Sequence, residues 1–154
     1  MEQYIVFYSH QQRFALPITE IEKIIQSEPA VPVPEIATYI TGVITYNQLV
    51  VPIVDLSQRL YQVMTTVTAE TKIMMVSWQG KIIGLIIDKV EGIFTFEDIQ
   101  YEEQATELET SKAYIAGFIK TAGEIILLIE IKSIFDQQLT ESVLNFVENA
   151  AEEG

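Results

Sequence analysis

Cysteine is absent from this 154-residue chain, which removes disulfides, thiolate metal sites and cysteine nucleophiles together. Histidine occurs once, at His10, and without a second histidine or a thiolate a zinc site has no ligand set. Basic residues are scarce: Lys and Arg number 9 against 22 Asp and Glu, a formal net charge of −13. Phosphate contacts need clustered cations, so nucleic-acid binding is disfavoured, and an anionic membrane surface would repel the chain. Long apolar runs are missing too. Stretches such as Ile82–Ile87 and Ile125–Ile129 stop far short of the roughly 18 residues a spanning helix needs. The opening MEQYIVFYSH has no basic segment before its apolar run and does not read as a signal peptide. The expectation is a soluble, cytoplasmic protein with no direct membrane insertion.

Catalytic patterns are equally thin. Neither standard phosphate-binding glycine loop appears, nor a G-x-S-x-G elbow. His10 falls in a predicted turn among polar residues and reads as an exposed turn residue. Asp55 and Asp88 each follow an apolar run; they read as strand-end acids bonding turn amides, not as an acid–base pair. The acids between Glu97 and Glu109 lack the alternating spacing and turn glycine of a calcium loop and read as a solvated loop. Trp78 reads as a packing residue. No cofactor and no enzymatic activity are expected.

What the chain has is apolar surface, 49% of its residues, which is enough to order a core against chain entropy. It also has an internal repeat. Thr38-Tyr39-Ile40-Thr41-Gly42-Val43-Ile44 returns 75 residues later (42 to 117) as Ala113-Tyr114-Ile115-Ala116-Gly117-Phe118-Ile119. Without a gap, Leu49–Leu56 then falls on Glu124–Ile131, with Asp55 meeting Glu130. Tyr4–Phe7 matches Ile73–Val76 and Phe14–Ile21 matches Ile83–Val90, both 69 residues apart (4 to 73).

Each copy reads as β: runs of Ile, Val, Tyr and Phe separated by short polar or glycine turns. Gln79-Gly80 looks like a two-residue hairpin loop, Thr121–Gly123 another, with Ser9–Gln12 and Tyr46–Gln48 in the matching places. Continuously apolar strands must be covered on both faces, and a lone unit of this size is marginal, so the copies should pack together. Pro17 and Pro52 mark edges, bulges or strand ends. The spacing of Ile18, Ile21, Ile24 and Ile25 predicts a helical turn or two after Pro17. Pro29, Pro32 and Pro34 make an extended connector, 57–72 links the copies, and Glu97–Lys112 is a polar excursion of the second. Thr140 is placed to cap a helix with Val143, Leu144 and Val147 on its apolar face and Leu139 as its staple. The expected organisation is one domain over 1–136, with subdomains of about 4–56 and 73–131, then a C-terminal helix and acidic tail over 137–154.

The run Gly42-Val43-Ile44-Thr45-Tyr46-Asn47-Gln48-Leu49-Val50-Val51-Pro52-Ile53-Val54-Asp55-Leu56 resembles the G-V-x-N-L-R-G-x-x-x-P-x-x-D-L pattern of the CheW family. Ile83–Val90 resembles its G-x-x-V-D-x-V segment, and Tyr114-Ile115-Ala116-Gly117 its later Y-x-x-G. The pieces stand in the family's order from about Tyr4 to Phe135. The resemblance implies an all-β fold of two SH3-like five-stranded barrels packed side by side, with short helices. It also implies a non-enzymatic adaptor coupling methyl-accepting chemotaxis receptors to the regulatory domain of the histidine kinase CheA. By position, it places Ile21, Gly42, Gly84 and Val90 on the receptor side. It places Lys23, Ile24, Tyr46, Asn47 and Gln48 near the kinase. Two departures stand out: Asn47 and Gln48 replace the family's Arg and Gly, and Lys23 replaces a common Glu. Two other readings remain: a divergent adaptor for another sensory or motility pathway, and a small-molecule-binding or enzymatic β-barrel.

Overall fold

A computed structural model describes residues 2–34, 38–96, 99–101, 115–121 and 123–134, with 99–101 described in backbone only. The predicted C-terminal helix and tail, Tyr114 and most of the Glu97–Lys112 excursion lie outside the described residues.

Among the described residues, eleven strands form two sheets. In chain order they are β1 (Gln3–Ser9), β2 (Gln12–Pro17), β3 (Ile21–Gln26), β4 (Ile40–Tyr46), β5 (Leu49–Asp55), β6 (Lys72–Trp78), β7 (Lys81–Ile87), β8 (Lys89–Thr95), β9 (Ile99–Tyr101), β10 (Ile115–Thr121) and β11 (Glu124–Ile129). Two short helices, α1 (Leu56–Tyr61) and α2 (Ile131–Ile134), follow β5 and β11. No helix among the described residues is long and apolar enough to cross a membrane. The first sheet has the order β8-β1-β2-β11-β10-β9 and the second β3-β6-β7-β5-β4.

The repeat reappears in the pairing at single-residue resolution. Tyr4 pairs with Pro17 as Ile73 pairs with Ile86. The parallel contact of Leu128 with Ala15 is that of Ile53 with Gly84. Even the irregularities recur: the shift between Ile115 and Gly117 repeats that between Ile40 and Gly42. Gln100 pairs with Phe118 on β10 just as Val31 bridges to Val43 on β4.

Sequence copies and sheets are nevertheless not the same objects. The first copy gives its opening hairpin to the first sheet and β3, β4 and β5 to the second. The second copy does the reverse. The predicted spans 4–56 and 73–131 therefore mark the copies, while each sheet draws on both.

The first sheet must curl. Thr95 ends one edge strand of the first sheet and Ile99 begins the other. That stretch of chain covers at most about 14 Å, whereas the edges of a flat six-stranded sheet stand about 24 Å apart. Each sheet has an inner face with its own small core. Tyr4, Val6, Ala15, Ile119, Ile126 and Leu128 fill one. Their repeat partners Ile44, Val51, Ile53, Ile73 and Met75 fill the other. The outer faces meet in a larger shared core holding Phe7, Phe14, Leu16, Met74, Trp78 and Leu85. Tyr4–Phe7 thus alternates between two cores, which is why the run has no polar face. Trp78 is buried in the shared core.

One expectation is corrected. After Pro17 the chain makes only one 3-10 turn, Ile18–Glu20, and then enters β3. The register of β3 against β6 shifts between Ile21 and Lys23, so Ile21 and Ile24 both face the shared core. A bulge breaks the two-residue alternation of a strand and leaves a three-residue spacing that mimics a helix. The stretch from 57 likewise opens with α1 before it becomes a linker. Pro52 lies within β5, where the parallel ladder to β7, confined to Ile53–Asp55, has not yet begun, so its missing N–H disturbs no bond to β7.

Candidate partner-binding faces

Hydrogen bonding draws three candidate positions together. Across the second sheet the register sets Gly42 opposite Ile53, Ile53 opposite Gly84, Gly84 opposite Met75 and Met75 opposite Lys23. Gly42, Gly84 and Lys23 therefore share one transverse row. The row's roles differ along its length. Gly42 has φ +149°, and a Cβ there would lie 2.1 Å from the Val31 carbonyl oxygen. Its bareness lets the proline connector cross β4, where Val31 and Val43 exchange N–H···O bonds of 2.8 and 2.9 Å. Gly84 is buried, and a Cβ there would meet Ile53 Cδ1 at 2.6 Å and Ile73 Cγ2 at 2.7 Å. Lys23, at the edge, is exposed and has no ion pair or hydrogen bond from its side chain among the described residues.

Ile21 and Val90 are a second pairing. They are repeat partners, set opposite Val76 and Phe7 at equivalent bulges, and both are half-buried against the shared core. Edge strands of the two sheets thus present matching aliphatic side chains. Ile24 packs on the shared core as well, and Tyr46 on the core of the second sheet. Asn47 and Gln48 form the exposed tip of the β4–β5 hairpin with φ +48° and +66°. The turn therefore keeps its left-handed geometry without glycine, at the cost of strain.

The polar groups that suggest catalysis have structural partners. The Asp55 carboxylate is buried and accepts from the Gln58 N–H at 3.2 Å, the Thr65 N–H at 2.9 Å and the Thr65 hydroxyl at 2.7 Å. It caps α1 and pins the chain beyond it. Asp88 accepts from the His10 N–H at 2.9 Å, and the exposed His10 ring stacks on Tyr61 with centroids 4.4 Å apart. Both acids bond amides outside their own strands, as their positions predict. Arg13 on β2 ties its sheet together, holding Glu91 on β8 at 2.8 Å and Glu124 on β11. No three His, Asp or Glu among the described residues are grouped to hold a metal ion. Burial pushes the Glu20 carboxyl above its ordinary range, and the charges of Glu2 and Glu130 add to the effect.

Several exposed apolar side chains carry no signal in the sequence. Val63, Met64 and Val67 lie on the chain after α1, and Ile93 and Phe94 lie on the edge strand β8. Single exposed aliphatics are ordinary on proteins, so exposure alone does not distinguish these.

The sequence pattern of the CheW-like domain matches residues 3–139. The chain belongs to the CheW-like family. Among curated relatives of this CheW-like chain, the chemotaxis protein CheW of Rhizobium meliloti is 30% identical over 141 residues, 90% of each chain. That of Bacillus subtilis is 24% identical over 93% of this chain and 92% of its own. The crystal structure of the scaffolding protein TtCheW from Thermoanaerobacter tengcongensis superposes with a TM-score of 0.79. It covers 88% of this chain and 92% of its own at 22% identity, so it supports the CheW fold by shape.

Proposed function

We propose that this chain is a non-catalytic scaffold of chemotaxis signalling, joining chemoreceptors to the regulatory domain of the CheA kinase. The observation that carries the proposal is the CheW-like match over residues 3–139, supported by relatives named as chemotaxis proteins. The alternatives of a different pathway or a small-molecule barrel are not favoured by it. On this reading the protein works in the cytoplasm and needs no cofactor.

The receptor would lie along the aliphatic seam of Ile21 and Val90. Gly42 and Gly84 would contribute through the backbone shape they permit, since Gly84 is buried. The kinase would meet Lys23, Ile24 and the Tyr46–Gln48 tip. Where the family pattern carries Arg and often Glu, this chain carries Asn47 and Lys23, so an Arg–Glu ion pair cannot form at these two positions.

Calorimetry with the CheA regulatory domain from the same genome tests the kinase half. A complex at micromolar concentrations is expected; none at tens of micromolar would refute it. Asn47→Arg should leave that affinity unchanged or raise it. A large loss would mean the tip serves another contact.

A further inference from the structure

A charge taken out of water is normally matched by an opposite one. Among the described residues Asp55 alone is both charged and buried, at 2% exposure. Its three donors, the Gln58 N–H, the Thr65 N–H and the Thr65 hydroxyl, are all neutral. It makes no ion pair among the described residues. The repeat sharpens the contrast. Glu130 holds the same place in the second copy, and there Lys132 lies 3.2 Å from its Oε1, although that side chain is 34% exposed. The counterpart of Lys132 in the first copy is the neutral Ser57. The more deeply buried acid is the one without a cation.

A carboxylate offers about four acceptor positions. Oδ1 of Asp55 takes two donors and Oδ2 takes one, which leaves Oδ2 open to another. Asp55 also lines a cavity of about 330 Å³ at the end of the second sheet, within the size range of small-ligand pockets. Pro29, Ala30, Met64, Val67 and Ile86 give that cavity largely apolar walls. Asp55 itself holds part of the wall in place, because its grip on Thr65 fixes the chain that carries Met64 and Val67. Two further lining groups are acceptors. The Thr41 hydroxyl donates to the Ile53 carbonyl at 3.3 Å and keeps its own lone pairs, and Glu28 is an exposed acid. No lysine, arginine or histidine among the described residues lines the cavity.

We infer that this cavity binds a small apolar amine in its ammonium form. The ammonium donates to Asp55 Oδ2 and to the Thr41 hydroxyl, and it supplies the counter-charge that the chain does not. The carbon stem lies against Ala30, Met64 and Ile86, where burying it is favourable. Charge sets the selectivity: an anionic ligand would meet two acids and no cation. A bare metal ion is poorly served, since no three His, Asp or Glu among the described residues are grouped to hold one. None of the lining residues is a candidate receptor or kinase position, so the inference goes beyond the adaptor reading and does not depend on it.

Methyl NMR titration of the full-length chain tests this, with hexylammonium as the probe. Hexanol and hexanoate are the uncharged and anionic controls of the same stem. Hexylammonium should shift the Met64, Val67 and Ile86 methyl signals and saturate with a Kd of about 1 mM, an affinity open to a ligand this small. Hexanol should bind at least about tenfold more weakly, the scale of a charge-assisted hydrogen bond, and hexanoate should not bind. Asp55→Asn should remove the preference, so that hexylammonium and hexanol bind alike. Asparagine also disturbs the Thr65 contact, so Ala30→Leu is the independent variant: it fills space at the apolar wall and should weaken both probes. Unchanged Ile5, Leu16 and Leu85 signals from the shared core will show that the fold is kept. No saturable shift by about 10 mM, equal binding of hexylammonium and hexanol to the unaltered chain, or a preference that survives Asp55→Asn would overturn the inference. So would Ala30→Leu binding hexylammonium as tightly as before.

Discussion

The two small cores occupy the same register positions, yet one row carries Ala15 where the other carries Gly84. In the first sheet the row runs Gly117, Leu128, Ala15, Val6, Gly92; in the second it runs Gly42, Ile53, Gly84, Met75, Lys23. The neighbours explain the exchange. Ile53 and Ile73 crowd Gly84 with their terminal and branching methyl groups, where the first sheet has Leu128 and Tyr4. Volume lost at one position is recovered at its neighbours, so equal register does not mean interchangeable residues. The hairpin tips differ by copy instead of by sheet. His10-Gln11 and Asn47-Gln48 hold two non-glycine residues at positive φ, whereas Gln79-Gly80 and the tip at Gly123 place glycine second.

The largest expected effect comes from Gly42→Ala. Its Cβ would strike the Val31 carbonyl oxygen in a backbone conformation that alanine resists. A loss of about 3 kcal/mol or more is expected in urea titration. Little change would mean that the Val31 bridge is dispensable. Next, Gly84→Ala should cost about 1–3 kcal/mol through overpacking. Adding Ile73→Leu, which removes the Cγ2 methyl, should recover part of that loss; a strictly additive double variant would undo the volume-exchange account.

A smaller change should follow at the tips. Gln11→Gly and Gln48→Gly should each stabilise by about 0.5–1 kcal/mol by relieving a left-handed glutamine, and Gly80→Gln should cost a similar amount. Melting-temperature shifts of the same sign in both copies would erase the distinction. Smallest is Glu20→Gln. Because the folded state raises the Glu20 pKa, it binds that proton more tightly than the unfolded chain does. Ionised Glu20 therefore costs stability at neutral pH, and the cost fades as pH falls through its folded pKa. The substitution should stabilise near pH 7, with the advantage vanishing under acidic conditions.

Local features were readable in the sequence because they are set by neighbouring residues. The four hairpin tips fall where glycine, asparagine and polar pairs interrupt apolar runs, and the repeat offsets reproduce every bulge. The exchange of strands was not readable. The parallel contacts of β2 with β11 and β5 with β7 join distant segments, and nothing in either segment names its partner. The Ile18–Ile25 stretch misled because a bulge and a helix both bring residues three apart onto one face. Among the candidate interaction residues, Asn47 and Gln48 are legible as an exposed tip. The burial of Gly84 depends on Ile53 and Ile73, which arrive from two other strands.

Strand exchange also orders events while the chain is being synthesised. Every strand of the second sheet has been made by Ile87, so that sheet can assemble early. The β1–β2 hairpin, though made before any strand of that sheet, must wait for β11 to end at Ile129, some 2–8 s later at usual rates of elongation. During that interval Phe14 and Leu16 lack their final neighbours on β10 and β11. The β1–β2 hairpin is thus among the last elements to be sheltered, and the nascent chain is most vulnerable to misassembly there.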